Sequence, residues 1–377
     1  MIVARALRAL APPLALHFPT MSRIARGVVV LVVLALLAPV SASAALTPPA
    51  TGPAPTTTTP TTPTTPTTPT TPTTPVPAPP AAADHLAMTL GGVYGVHSKD
   101  VTVTGRGLSV EGVSKPFVAG QVVTVHIWKG RRLVKSATVK IRPARGGASG
   151  TFSLRFSSGA AGNFSITAIH AATPEQAAAT VAPKKFSVIL PVAGPGSTGT
   201  FVSLIQSRLA ALHFAVPEDG VYDQLTENAV LAYRKLRGWD RIYTLDGAVV
   251  RGLLNGAGTF PVRYRDDGRH VEADLTDQVL ALINGSQVYR IYPISSGKPS
   301  TPTVLGRYSV YMKDPGYLPD GMYYSNFFYT GYAIHGYDPA PTYPASHGCL
   351  RLPIDEAINV YNWVQIGTRV DVYYGAN

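Results

Sequence analysis

The sequence predicts a multidomain protein in which an N-terminal β-sandwich and a small three-helix domain precede a C-terminal mostly-β domain. Three observations carry that prediction. Short runs between residues 84 and 190, and again after 259, alternate apolar with polar residues, the period of half-buried strands. Between 191 and 258 the apolar period becomes helical. Of the 377 residues 45% are hydrophobic, enough for real cores, although the N-terminal stretch is low in complexity.

The leader comes first. Gly27 to Val40 is an apolar run preceded by Arg23 and Arg26 and followed by Ser41-Ala42-Ser43-Ala44. A basic start, a short apolar run and an A-x-A site predict a signal peptide over 1–44, with cleavage after Ala44 and a secreted product. A retained membrane anchor is the alternative, although the run is short for a spanning helix. Met21 sits where such a peptide normally begins, so either Met1 or Met21 is the start. Residues 45–83 form a Pro/Thr-rich linker, with TTP repeated from Thr58 to Pro75. This composition has nothing to bury and favours extended polyproline II, a spacer of roughly 100 Å. Its threonines are candidate sites for sugars.

Residues 84–190 supply the sandwich, with runs at Val101–Val103, Val123–Trp128, Ala137–Ile141, Phe152–Phe156, Phe164–Ile169 and Phe186–Leu190 between Gly and Pro punctuation. They resemble the immunoglobulin-like (Ig-like) modules of bacterial surface proteins. The formal charge of the chain, +11, is concentrated here: 13 Lys/Arg stand against 4 Asp/Glu. Lys129, Arg131, Arg132, Lys135, Lys140, Arg142 and Arg145 form either a face for an anionic polymer or a solvated edge. Export disfavours nucleic acid as the partner.

In residues 191–258, Val202, Ile205, Leu209 and Leu212 mark one helix, and Ala229, Val230, Tyr233 and Leu236 a second after the Asp219-Gly220 turn. Thr226 is the expected N-cap of the second, with Glu227 in its first turn. A short third helix follows Asp246-Gly247. This order resembles the small peptidoglycan-binding three-helix domain. Tyr233-Arg234 stands where that family has Phe-Gln, and Asp223 where it has a second glycine.

Residues 259–377 return to strands, expected at Gln278–Ile283, Val288–Ile294, Gly306–Met312, Gly331–His335 and Arg369–Tyr374, with one helix over Ile354–Val364. The chemistry lies here. Cys349 is the single cysteine, which rules out an internal disulfide and a four-cysteine zinc site. It follows Ser346, His347 and Gly348, and His335-Gly336 lies one loop upstream. A thiol nucleophile needs a base or cation to form thiolate near neutral pH and an open backbone around it. Two histidines and two glycines answer that need. The other reading of a lone cysteine, a small buried hydrophobe, leaves those neighbours unexplained.

His-Gly, a loop, then Ser-His-Gly-Cys-Leu-Arg resembles the signature of the L,D-transpeptidase catalytic domain, and "SSGKPSTPTVLGRYSV" upstream resembles another segment of that family. The resemblance implies Cys349 as nucleophile, His335 as base and His347 as a second catalytic or supporting histidine. Ser346, Gly336, Gly348 and Arg351 would frame or bind substrate, and amides at Gly348 and Cys349 would hold the oxyanion. Arg351 would clamp a substrate carboxylate or pair with Asp355 or Glu356. The implied activity forms peptidoglycan cross-links between stem peptides through a cysteine thioester, with no cofactor or metal. Hydrolysis as an L,D-carboxypeptidase and non-catalytic wall binding are the alternatives. Implied partners are stem peptides, glycan, anionic wall polymers and carbapenem-type inhibitors. Ser295 to Lys298 matches an S-x-x-K motif, but the S-D-N and K-T-G that should accompany it are missing. A zinc site at His335, His347 and Cys349 lacks the usual ligand spacing.

Overall fold

The computed structural model describes residues 83–375; the expected signal peptide, and the linker up to residue 82, lie outside the described residues. Among those described, no helix is long and apolar enough to cross a membrane. The first unit packs two sheets face to face. One is ordered His85–Gly91, Leu108–Lys115, Gly150–Phe156, Arg142–Pro143. The other runs Tyr94–Val96, Lys99–Val103, Lys184–Ile189, Gly162–His170, Val122–Lys129, Arg132–Lys140, with Ala179–Thr180 added on Gly162–His170. Alternation puts Val123, Val125 and Ile127 wholly inside against Val110, Ile166 and Phe186. Arg132–Lys140 is an edge strand, so its basic side chains and those of the adjoining turn lie outside the core.

Three helices follow: α1 (Thr200–Ala211), α2 (Gln224–Leu236) and α3 (Gly247–Leu254). The N-cap of α2 is Asp223, whose carboxylate accepts from the Thr226 amide at 2.9 Å; the expected cap, Thr226, is buried inside the helix. The helix starts three residues early because Asp223 holds extended backbone and supplies the acceptor that a glycine there would lack. Buried Gln206 fastens α1 to the Asp219-Gly220 turn, donating to Val221 O at 2.9 Å and accepting from Gly220 N at 2.8 Å. Arg234 is also structural: it donates to Asp240 O and pairs with Asp246 at 2.9 Å, binding α2 to the cap of α3.

The core of these helices does not end at their own boundaries. Ile205, Leu209, Tyr233 and Leu253 share one cluster with Val101 and Val103 of the sandwich and with Val279, Ala281 and Ile291 of the C-terminal strands. Tyr94 adds a hydrogen bond to Leu254 O at 2.6 Å, beneath the guanidiniums of Arg106 and Arg208.

The C-terminal unit is built on two further sheets. The first is ordered Gln287–Pro293, Val279–Asn284, Arg269–Asp274, Arg369–Tyr373, Gly306–Ser309; the second Met312–Tyr317, Tyr323–Tyr329, Tyr332–Tyr337, Leu350–Pro353. Helix α4 (Ile354–Trp363) covers the second sheet. Two differences from the expected strands stand out. The run expected over Gly306–Met312 divides between the two sheets. Arg269–Asp274, absent from the expected strands, is a central strand, in which buried Glu272 accepts from the amides of Arg263 and Tyr264 and from the Tyr373 hydroxyl.

Candidate active site

The site forms where Tyr332–Tyr337 and Leu350–Pro353 lie side by side in parallel, with Ile334 opposite Leu350 and His335 opposite Arg351. Ile334 and Leu350 point into the core and are fully buried. Strand alternation therefore turns His335, Tyr337 and Arg351 to the other face. Cys349, one residue before Leu350, takes that same face diagonally from His335. Its half-buried thiol packs beside Met322, Phe327 and Ala333 and donates to Gly331 O at 3.7 Å.

The turn that presents Cys349 is held from inside. Ser346 is fully buried; its hydroxyl donates to Cys349 O at 2.7 Å and accepts from Gly348 N at 3.0 Å. Its proton and one of its lone pairs are spent on the turn, and the side chain is buried, so Ser346 braces the turn. The same bond commits the Gly348 amide, which removes it from the two expected oxyanion donors. Gly348 has φ +122, and a Cβ there would lie 1.9 Å from the Tyr332 ring, so the approach of turn to ring requires glycine. Gly336 likewise contributes close packing: a Cβ would meet that of Ala357 in α4 at 2.7 Å.

Residues 295–303 form a second brace that the motif reading left unassigned. Ser295 pairs with Arg351 through its backbone in both directions, at 2.9 and 3.0 Å, and its hydroxyl donates to Tyr343 O. Ser296 O accepts from the amides of Ala345 and Ser346, while buried Gln278 donates to its hydroxyl at 2.7 Å. Thr301 donates to Ser346 O, and Thr303 accepts from Gly297 N. The S-x-x-K serine is thus a buried backbone partner. Lys298 meets exposed His347 at 3.2 Å. His347 accordingly sits on the outer side of the turn. The upstream resemblance covered Thr303, whereas no motif pointed to Gln278.

His335 is buried and its Nδ1 lies 2.8 Å from Gly336 O. A carbonyl can only accept, so Nδ1 carries the proton and Nε2 keeps its lone pair. Burial pushes its pKa down to about 4, and the Arg351 charge acts in the same direction. Burial also pushes the Cys349 thiol up, opposed by the Ala333 backbone and by Arg351. The resting pair is therefore neutral imidazole and neutral thiol. Arg351 stacks 3.8 Å over Tyr337 and donates to Ala345 O, with a buried Nε that has no partner. It forms no ion pair with Asp355 or Glu356, the alternative considered from sequence. Among the described residues no group of three His, Cys, Asp or Glu side chains is arranged to hold a metal.

Residues 268–372 match the family model of YkuD, the L,D-transpeptidase catalytic domain. The C-terminal unit is an L,D-transpeptidase catalytic domain. A solved L,D-transpeptidase from Xylanimonas cellulosilytica is 33% identical over 48% of this chain and 97% of that one, with a TM-score of 0.44. The catalytic domain of the E. faecium L,D-transpeptidase is 28% identical over 28% of this chain and 98% of its own, with a TM-score of 0.26. Mycobacterium tuberculosis L,D-transpeptidase 1 is 24% identical over 28% of this chain and 62% of its own, at 0.23. Among curated proteins none matches. The assignment rests on the family match to residues 268–372.

Proposed function

We propose that this chain is an exported peptidoglycan L,D-transpeptidase that works through a thioester on Cys349. The observation that supports it most is the placement of Cys349 and His335 on one sheet face, with Nδ1–H of His335 held by Gly336 O. His335 Nε2 takes the thiol proton as sulfur attacks the carbonyl after the L-centre of the donor stem's diaminopimelate. The Cys349 amide holds the developing oxyanion. The C–N bond breaks, D-alanine leaves with the proton from His335, and the acyl group remains on sulfur. A side-chain amine of a neighbouring stem then gives its proton to His335, attacks the thioester and regenerates the thiol. The broken peptide bond's energy is held in the thioester. Arg351, fixed over Tyr337, supplies the cation for a substrate carboxylate.

The helical domain is assigned to glycan. The Arg132–Lys140 edge and its flanking basic residues are assigned to anionic wall polymer, with binding that weakens as salt rises. Incubation with a disaccharide tetrapeptide tests the reaction: a cross-linked dimer by mass spectrometry is the expected product. Free tripeptide alone would mean hydrolysis, the carboxypeptidase activity. No reaction would make the chain a wall-binding protein.

A further inference from the structure

After the strand Gln287–Pro293 the chain leaves one sheet of the C-terminal unit and crosses to pair beside Cys349 in the other, and the crossing is held from two sides. Ile294 N donates to Gln278 O at 3.0 Å, within the C-terminal unit. Ile294 O accepts from Nζ of Lys235, which belongs to α2, at 2.7 Å. The next two residues carry the turn that presents the thiol. Ser295 pairs with Arg351 through both backbone groups, and Ser296 O accepts from the amides of Ala345 and Ser346. Ser346 in turn donates to Cys349 O at 2.7 Å. A run of hydrogen bonds, joined by one short stretch of backbone, therefore leads from α2 to the residue that bears the sulfur. Lys235, Ile294, Ser295, Ser296 and Ser346 are all buried, so water does not replace any of its links.

Packing alone does not account for a lysine at this place. Lys235 is 2% exposed, and among the described residues no carboxylate pairs with it. Burial pushes the amine down to about 7, and the Arg241 charge acts in the same direction. A buried cation without a partner charge costs free energy that an apolar side chain of the same length does not. What the lysine supplies in return is a donor that reaches Ile294 O, and the ammonium and the neutral amine both carry the N–H this bond needs. We infer that Lys235 is a positioning residue for the reaction at Cys349: by fixing Ile294 it sets the place of Ser295 and Ser296, and through them the turn that holds the thiol against His335. The helical unit is then part of the reacting assembly. The inference rests on the reading of Cys349 as nucleophile and gives Lys235 no contact with substrate.

The test uses the full chain and a carbapenem, with intact-mass kinetics at several drug concentrations to separate the covalent step from drug binding. Lys235→Met keeps the length and removes both the donor and the buried charge, so its melting temperature should lie within a few degrees of the unaltered protein. A small displacement of reacting groups is costly in rate, so its covalent step should be about tenfold slower, at an unaltered half-saturating drug concentration. Leu253→Ala is the control, because Leu253 packs in the seam cluster and Ile294 in another. It should melt lower and acylate at the unaltered rate. An unaltered rate in Lys235→Met overturns the inference, and so does a slowing in both variants that follows their loss of melting temperature. Should Lys235→Met not fold, Lys235→Gln replaces it: its shorter stem draws the donor away from Ile294 O, and an unaltered rate there is equally fatal. A different failure, no adduct on the unaltered chain, would undo the reading of Cys349 itself and the inference with it.

Discussion

At the scale of single residues, the site depends on one histidine that is kept neutral. Depressing the pKa of His335 to about 4 means that imidazolium is disfavoured in the fold, so in the proposed mechanism the base is available across the physiological range. Acylation of Cys349 by a carbapenem is therefore expected to stay nearly level between pH 5 and about 7, and to fall as pH drops through 4. His335→Gln should slow it by about 100-fold or more, and Cys349→Ala should abolish the adduct. Intact-mass kinetics read both. An adduct that persists without Cys349 would mean that another nucleophile is present. Cys349 and His335 were legible in the sequence because thiol chemistry needs both and the chain has one cysteine. The Ser346 brace was not legible as such, because a buried hydroxyl and an exposed one are written with the same letter.

At the scale of elements, α4 carries a carboxyl that the fold prefers uncharged. The folded Glu356 pKa is raised from 4.5 to about 8, so between those values the folded state holds a proton that the unfolded chain has released. Stability from this group is fully present below pH 4.5 and is lost as pH rises through 8. Glu356→Gln has no such proton. Relative to the unaltered protein its melting temperature should rise on going from pH 4.5 to pH 8.5; a constant difference would show that Glu356 titrates normally. Periodicity revealed α4 to within one residue of its end, because Ala357, Val360 and Trp363 form a helical stripe. It did not reveal Arg269–Asp274, whose buried Glu272 is bonded by the Tyr373 hydroxyl, about a hundred residues away in sequence.

At the scale of the molecule, the described residues form one compact unit whose core crosses the seams between sandwich, helices and catalytic strands. Lys235 reinforces one seam from within α2, donating to Ile294 O at 2.7 Å just before the Ser295–Arg351 pairing. Heating should produce one calorimetric transition for the sandwich, helices and catalytic domain together. Leu253→Ala, at a fully buried seam position, should cost about 2–5 kcal/mol and lower that whole transition. A separate catalytic transition left unmoved by the substitution would show that the seams carry little energy.

The sequence by itself determined the candidate thiol and histidine, the family of the catalytic domain and the alternation of strand and helical regions, because those follow from residue type, motif and local period. Tertiary structure alone decided that Ser346 and the Gly348 amide serve the turn, that Lys298 faces His347, and that Glu356 is buried on α4. Each of these depends on which distant backbone groups are brought within hydrogen-bonding reach and which side chains lose water. Neither is encoded in the spacing of neighbours along the chain.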